Sequence, residues 1–316
     1  MLRCTIIIIL LLSCFLCDAQ GRIDSFRVMG NVKVTIDQPV KFDKKKNVIL
    51  ILYALPNGNT TEQTMGKAVK EGDDWHFDIQ HIKGQTGFIR EQVEKKNIIV
   101  AYLENSFRSW PQWKAKTEGY PAKIRHIVDT LSELFGPSTT VYLNGHSGGG
   151  SFIFGYLESV EEIPFHIGRI SFIDSNYGYD SSYYPKFRKW LKRNGQAHLT
   201  VFAYNDSVAL YNGKPVVSAH GGTWYKSQRM LEHFGKHYRF RQTRNDSLIF
   251  HELVPQQAGS TKGQVAFFLR TNPERKIYHT QQVELNGFIH SILYGTRRQE
   301  KDYRYFGERA YSRFIE

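Results

Sequence analysis

Past residue 17 the chain contains no cysteine; all three, Cys4, Cys14 and Cys17, lie at its very start. The body of the protein can therefore be neither a disulfide scaffold nor a thiol enzyme, and it must be held together by a buried core. It also lacks an HExxH pair and any His/Asp cluster at ligand spacing, so no metal is expected, and no cofactor motif is present. Internal repeats, low-complexity tracts and linker-like stretches are missing. No RNA- or DNA-binding pattern organises the basic residues, which speaks against nucleic acid as a partner.

Long apolar runs are scarce as well. An unbroken run near the start, Ile6 to Leu12, follows Arg3 and precedes Cys17-Asp18-Ala19, whose small residues stand at the −3 and −1 positions of a cleavage site before Gln20. A bilayer-spanning helix takes about 20 apolar residues, so this segment is a signal peptide rather than a transmembrane span. Residues 1–19 are expected to be the leader and residues 20–316 a single catalytic domain, exported to the periplasm or the extracellular space. Leu11-Leu12-Ser13-Cys14 also resembles a lipobox, which leaves open a lipid anchor through Cys14.

Present in excess is positive charge. The formal balance is +12, and the leader carries one Arg and one Asp, so its removal leaves that balance unchanged. On an exported protein such charge serves solubility or draws an acidic surface or substrate.

The apolar pattern alternates between strands and helices. Asn47 to Leu55 (NVILILYAL) and Asn97 to Leu103 (NIIVAYL) read as buried strands, continuous apolar runs bounded by polar or turn residues. Further strands are expected at Asn31 to Ile36, Thr139 to Leu143, Ile170 to Ile173 and His198 to Tyr204. Between Pro121 and Phe135 the apolar residues fall on one helical face, with Pro121 acceptable in the first turn. Other helices are expected near Ile79 to Lys95, Gly148 to Val160, Tyr184 to Arg193 and Thr223 to Phe234. Such alternation implies an α/β fold with a mostly parallel central sheet covered by helices on both faces. From Phe240 to Leu285 three segments read as β-rich: LIFHELV, QVAFFLR and KIYHTQQVEL.

Gly145-His146-Ser147-Gly148-Gly149 matches G-x-S-x-G. It begins directly after the buried strand TTVYLN and runs into the apolar helix SFIFGYLESV. A serine on a sharp strand-to-helix turn needs glycine on both sides to avoid clashes, and the helix N-terminus aims N–H groups at the charge developing on a substrate oxygen. With this context the chain resembles the α/β-hydrolase superfamily, in the manner of secreted bacterial serine esterases acting on carbohydrate, over nearly its whole length.

That resemblance implies a Ser-acid-His order along the chain. Ser147, Asp206 and His290 fit it: Asp206 ends VFAYND, just beyond the strand two after the elbow, and His290 lies in NGFIHSIL behind the break Asn286-Gly287. Asp174, ending ISFID, is the alternative acid and His279 the alternative base; His220 is a weaker candidate. The oxyanion hole would use the N–H of Gly148 and a second donor at Gly58 or Asn59, in the loop after the third strand. Arg108, Trp110 and Trp113 follow the fourth strand on the side where ligands of such sheets bind, and Asn176 and Tyr177 sit in a second polar–aromatic loop. Paired Trp beside Arg suits a sugar ring and a carboxylate.

The expected activity is a secreted serine carboxyl-ester hydrolase removing acetyl or uronate methyl ester groups from polysaccharide, its partner a carbohydrate or small ester, acidic polysaccharide included. A serine peptidase of the same fold and a non-catalytic hydrolase-like binding protein are the alternatives.

Overall fold

The structure is a computed structural model that describes residues 21–29, 31–218, 220–254 and 263–316. Residues 1–19, expected to be a leader, and Cys14 among them lie outside the described residues.

The strands are β1 (Gly21–Val28), β2 (Val32–Pro39), β3 (Val48–Ala54), β4 (Asn97–Asn105), β5 (Thr140–His146), β6 (Ile167–Ile173), β7 (His198–Tyr204), β8 (Leu210–Tyr211), β9 (Lys214–Pro215), β10 (Phe240–Asn245), β11 (Leu248–Leu253) and β12 (Val265–Arg270). Ten of the described strands form one sheet in the order β1-β2-β4-β3-β5-β6-β7-β12-β11-β10, while β8 and β9 pair separately. From β4 across to β12 every pairing is parallel; β1 and β2 at one edge and β11 and β10 at the other run antiparallel.

The inner strands are buried because side chains alternate into two separate cores. On β3, Val48, Leu50, Leu52 and Ala54 enter one core while Ile51 and Tyr53 enter the other. Both faces are therefore apolar, which is why these strands read as continuous hydrophobic runs. Each fully buried Val, Leu or Ile stabilises the fold by roughly 1.5–3 kcal/mol before chain entropy is set against it.

The helices are α1 (Thr61–Met65), α2 (Ile82–Gln92), α3 (Trp110–Lys116), α4 (Tyr120–Leu134), α5 (Gly150–Ser159), α6 (Tyr184–Arg193), α7 (Thr223–Gly235), α8 (Gln281–Glu284) and α9 (Gly287–Leu293). Helices α3 to α7 cover one face; α2, α8 and α9, with Tyr303, Tyr305 and Tyr311, cover the other. In α4 the buried set is Ile124, Ile127, Val128 and Leu131, the i, i+3, i+4, i+7 stripe of an amphipathic helix. A Cβ on Gly155 would lie 2.4 Å from Ile124 Cδ1, so glycine there lets α5 sit close to α4. No helix of the described residues is long and apolar enough to cross a membrane.

One expected strand is absent. KIYHTQQVEL has no β pairing; it is a turn followed by α8. LIFHELV is β11, antiparallel between β10 and β12, and QVAFFLR is β12, the last strand of the sheet. Lacking a strand neighbour, the apolar residues of KIYHTQQVEL are used otherwise: Val283 is buried in the core beneath α9, and Ile277 is exposed.

Candidate active site

The elbow is built by close backbone approach. Ser147 has φ of 53°, in the left-handed region, where β-carbon sterics cost a non-glycine residue energy. A Cβ on Gly145 would lie 2.9 Å from the Gly149 backbone, and one on Gly149 would lie 2.2 Å from the Ala54 carbonyl oxygen. Glycine at both places is thus a packing requirement. It lets β5 turn back into α5 and leaves Ser147 projecting at the C-terminal edge of the sheet.

Asp174 directly follows β6 and Asp206 follows the neighbouring β7 after one residue, and both are buried. His279 follows β12 by way of a loop that Asn272 ties down, its Nδ2 donating to the carbonyls of Asn205 and Lys276. His279 Nδ1 and Asp174 Oδ2 are 2.5 Å apart. The His279 ring lies 4.5 Å from that of His146, the residue preceding Ser147. His146 is buried, and its Nδ1 is 2.9 Å from the Ile173 carbonyl, which acts as acceptor and fixes the ring. Burial, then the neighbouring His279, holds His146 far below the usual imidazole range, so it stays neutral. Its contact with the His279 ring had no sequence signal beyond its place in the motif.

The expected pairing of Asp206 with His290 is not formed. His290 is buried on the other side of the sheet, 5.1 Å from the Tyr305 ring and 4.7 Å from the Phe268 ring, with Nδ1 3.0 Å from the Tyr303 hydroxyl. Desolvation, then Arg169, pushes it down to about 3, which keeps it neutral. The cause of the difference lies in the segment before it: KIYHTQQVEL is not a strand, so the position following the last strand belongs to His279. Asp206 instead accepts the Thr223 backbone N–H at 2.7 Å at the start of α7. Burial and the charge of Asp174 raise it to about 6. His220 is exposed, its ring 4.7 Å from that of Tyr225.

The two residues expected to offer the second oxyanion donor, Gly58 and Asn59, differ in their surroundings. The Gly58 N–H donates to the Arg108 carbonyl at 2.8 Å and is thereby used. Asn59 is buried, and its Nδ2 has no partner. The residue beside Gly148 is Asn57: a Cβ on Gly148 would lie 2.0 Å from Asn57 Oδ1. Because Pro56 has no N–H, Asn57 is the first residue after Leu55 that carries a backbone donor.

Trp110 and Trp113 are buried, so neither offers a face to a sugar. Ser109 caps α3 and Pro111 lies in its first turn, which places the two Trp at i and i+3 on its inner face. Their rings meet at 5.4 Å, and Trp110 packs on Phe152 at 4.7 Å. Arg108 remains exposed. Asn176 is buried, its Oδ1 accepting from Ser227 at 3.2 Å, whereas Tyr177 is exposed.

Tyr177 lines a cavity of about 260 Å³ that opens at Ser147 and Gly148. It runs along one face of α5 past Ser151 and Phe154 to Glu158, with Pro111, Lys114 and Tyr183 completing its walls. Seven residues of helix separate Ser151 from Glu158, a rise of about 10 Å. At that end Glu158 accepts from Lys114 at 3.1 Å, Tyr183 at 2.7 Å and Tyr120 at 2.5 Å. Among the described residues no cluster of three or more His, Cys, Asp or Glu could hold a metal ion.

No protein-family model matches the chain, and no curated protein matches it. Solved structures do. A thermostable esterase is similar at 16% identity and TM-score 0.45, over 84% of this chain and 59% of its own. A mutant of the feruloyl esterase module from Clostridium thermocellum, complexed with sinapinate, is similar at 11% identity and TM-score 0.45, over 87% and 90%. Brefeldin A esterase is similar at 11% identity and TM-score 0.38, over 87% and 73%. The chain thus spans less than two thirds of the thermostable esterase. Its own strand order, with a serine elbow after the middle parallel strand, is that of the α/β-hydrolase fold.

Proposed function

We propose that the protein is a serine carboxyl-ester hydrolase in which Ser147 is the nucleophile, His279 the base and Asp174 the acid. The observation that carries this reading is the left-handed Ser147 together with the His279–Asp174 pair, whose imidazole lies against His146, the residue before Ser147. Asp174 accepts the Nδ1 proton, which leaves Nε2 of His279 as the basic nitrogen. That nitrogen takes the Ser147 hydroxyl proton as the oxygen attacks the ester carbonyl carbon. The Gly148 N–H and a donor from Asn57 hold the oxyanion. Collapse breaks the bond to the alcohol oxygen, which leaves with the proton from His279. Water then repeats the sequence on the acyl-enzyme and frees the acid.

Residues 20–316 would act as one catalytic domain after export, and the substrate would be an ester on carbohydrate, acetyl or uronate methyl. The +12 balance favours acidic polysaccharide, and the Lys114, Glu158 and Tyr183 groups offer donors and acceptors to hydroxyls. The cavity itself favours a second reading, a flat ring on the acyl side held between Phe154, Tyr177 and Tyr183.

Fluorophosphonate labelling of Ser147 tests the chemistry, and its failure on folded protein would sink the reading. Rates on nitrophenyl acetate, acetylated xylan, methyl-esterified pectin, methyl 4-hydroxycinnamate and aminoacyl amides sort the substrates. Amide cleavage faster than ester cleavage would make the protein a peptidase.

A further inference from the structure

Two buried carboxylates stand where one would serve. Asp174 and Asp206 follow adjacent strands, and the Thr223 hydroxyl lies between them, hydrogen bonded to Asp174 Oδ1 and 3.2 Å from Asp206 Oδ2. The approach is built for: a Cβ on Gly222 would lie 2.2 Å from Asp206 Oδ1, so glycine there lets the start of α7 close over the carboxylate. On its far side Asp174 meets His279. The four groups form an unbroken hydrogen-bonded chain, Asp206–Thr223–Asp174–His279.

A threonine hydroxyl has one proton and donates once. The closer contact is to Asp174, so the proton points there and the Thr223 oxygen presents lone pairs to Asp206. A protonated Asp206 donates to that oxygen; an ionised one repels it. Of the surroundings of Asp206, burial and the charge of Asp174 favour the proton. Asp174 comes from β6, Tyr204 from β7, and Tyr177 from the loop after β6, with His279 beyond Asp174. Among the described residues neither carboxylate has a Lys or Arg salt-bridge partner. The opposing contribution comes from α7, through the N–H groups of Thr223 and Trp224 and the Thr223 hydroxyl.

We propose that Asp206 is a positioning residue, which anchors Thr223 at the start of α7 and, through the Thr223 hydroxyl on Asp174, orients His279. This rests on the serine-hydrolase reading. No bond is made or broken by Asp206; it gives up its proton to solvent as pH rises and regains it as pH falls. Once ionised, it adds a second negative charge near the imidazole and makes the imidazolium easier to form.

The test is the pH dependence of kcat/KM on nitrophenyl acetate for the wild type, Asp206→Asn, Asp206→Leu and Thr223→Val. The Asn amide donates to Thr223 at every pH and cannot ionise. Its acid limb is expected to move to lower pH by about half a unit, because the second charge is gone. Asp206→Leu is expected to lose about tenfold in kcat, and Asn to recover most of that loss. Thr223→Val breaks the chain, so adding Asp206→Asn to it should cost little more in kcat. A merely structural Asp206 would lower kcat by the same factor with Thr223 or with Val at that position, and such additivity overturns the proposal. So does an Asp206→Asn defect as deep as that of Asp174→Asn, which would make Asp206 the direct partner of the imidazole. If Asp206→Leu does not fold, Asp206→Asn and Thr223→Val carry the test. Fluorophosphonate labelling of Ser147 separates the two readings: labelling with additive effects in the double variant rejects the chain alone, and no labelling rejects the hydrolase.

Discussion

His279 and His290 lie eleven positions apart in one short stretch of sequence, yet occupy opposite kinds of surroundings. His279 is half-buried at the rim where the parallel strands end, with a carboxylate on one nitrogen and the elbow beside it. His290 is sealed among Phe268, Tyr303 and Tyr305, where Nε2 has no partner. One ring can exchange a proton with a neighbour and with solvent; the other is held neutral by desolvation. A histidine becomes a base through access and a fixed acceptor, and its place in a motif-like string supplies neither.

The sharpest way to break this contrast is to remove each ring in turn. Ser147→Ala and His279→Ala should each lower kcat by about four to six orders of magnitude with the fold intact by circular dichroism. A folded His279→Ala enzyme with near wild-type turnover would refute the assignment. Asp174→Asn should cost about three to four orders of magnitude, by leaving the imidazole in the wrong tautomer. On the other side of the comparison, His290→Phe should keep kcat/KM within about threefold.

Its visible effect belongs to acid stability. The folded His290 binds a proton only near pH 3, whereas an unfolded histidine binds one near 6.5. Stability is therefore lost as pH falls from about 6.5 toward 3, and His290→Phe should move the acid-denaturation midpoint to lower pH. Asp206 has the opposite sign. Its folded value of about 6 lies above the unfolded 3.8, so stability is present below pH 4 and lost as pH rises through 6. The charge at full ionisation costs about 3 kcal/mol, and Asp206→Asn should recover part of it above pH 6 but little at pH 4. Equal gains in thermal midpoint at both pH values would contradict this.

The smallest expected effect concerns Arg108 on the same rim. If an acidic oligosaccharide ester is bound, Arg108→Ala should raise KM several-fold with little change in kcat, and salt should lower kcat/KM. A neutral ester should respond to neither. Equal responses would turn the reading toward neutral acetylated glycans.

Much of the fold was legible because buried parallel strands are apolar on both faces and amphipathic helices keep one stripe. Strand β7 and helix α6 occupy the residues expected of them, His198–Tyr204 and Tyr184–Arg193. The elbow was legible because its glycines answer a local steric demand that appears as a string. The Trp pair was misplaced because indole rings suit a sugar face and a core equally; Ser109 and Pro111 start a helix that turns both inward.

What the sequence by itself determined was the strand–serine–helix turn, the alternation of layers and the set of acids and histidines able to join it. Those are local properties, set by backbone sterics and the period of apolar residues. Which acid meets which histidine was decided by the tertiary structure alone. Asp174 and His279 are 105 residues apart, and their contact depends on β6, β7 and β12 lying side by side in register. KIYHTQQVEL had apolar residues enough for a strand, but at the edge it would have joined, β11 already pairs with β12. Without a partner for its backbone N–H and C=O groups a segment cannot hold as a strand, and so the loop carrying His279 turned back over the sheet toward Ser147.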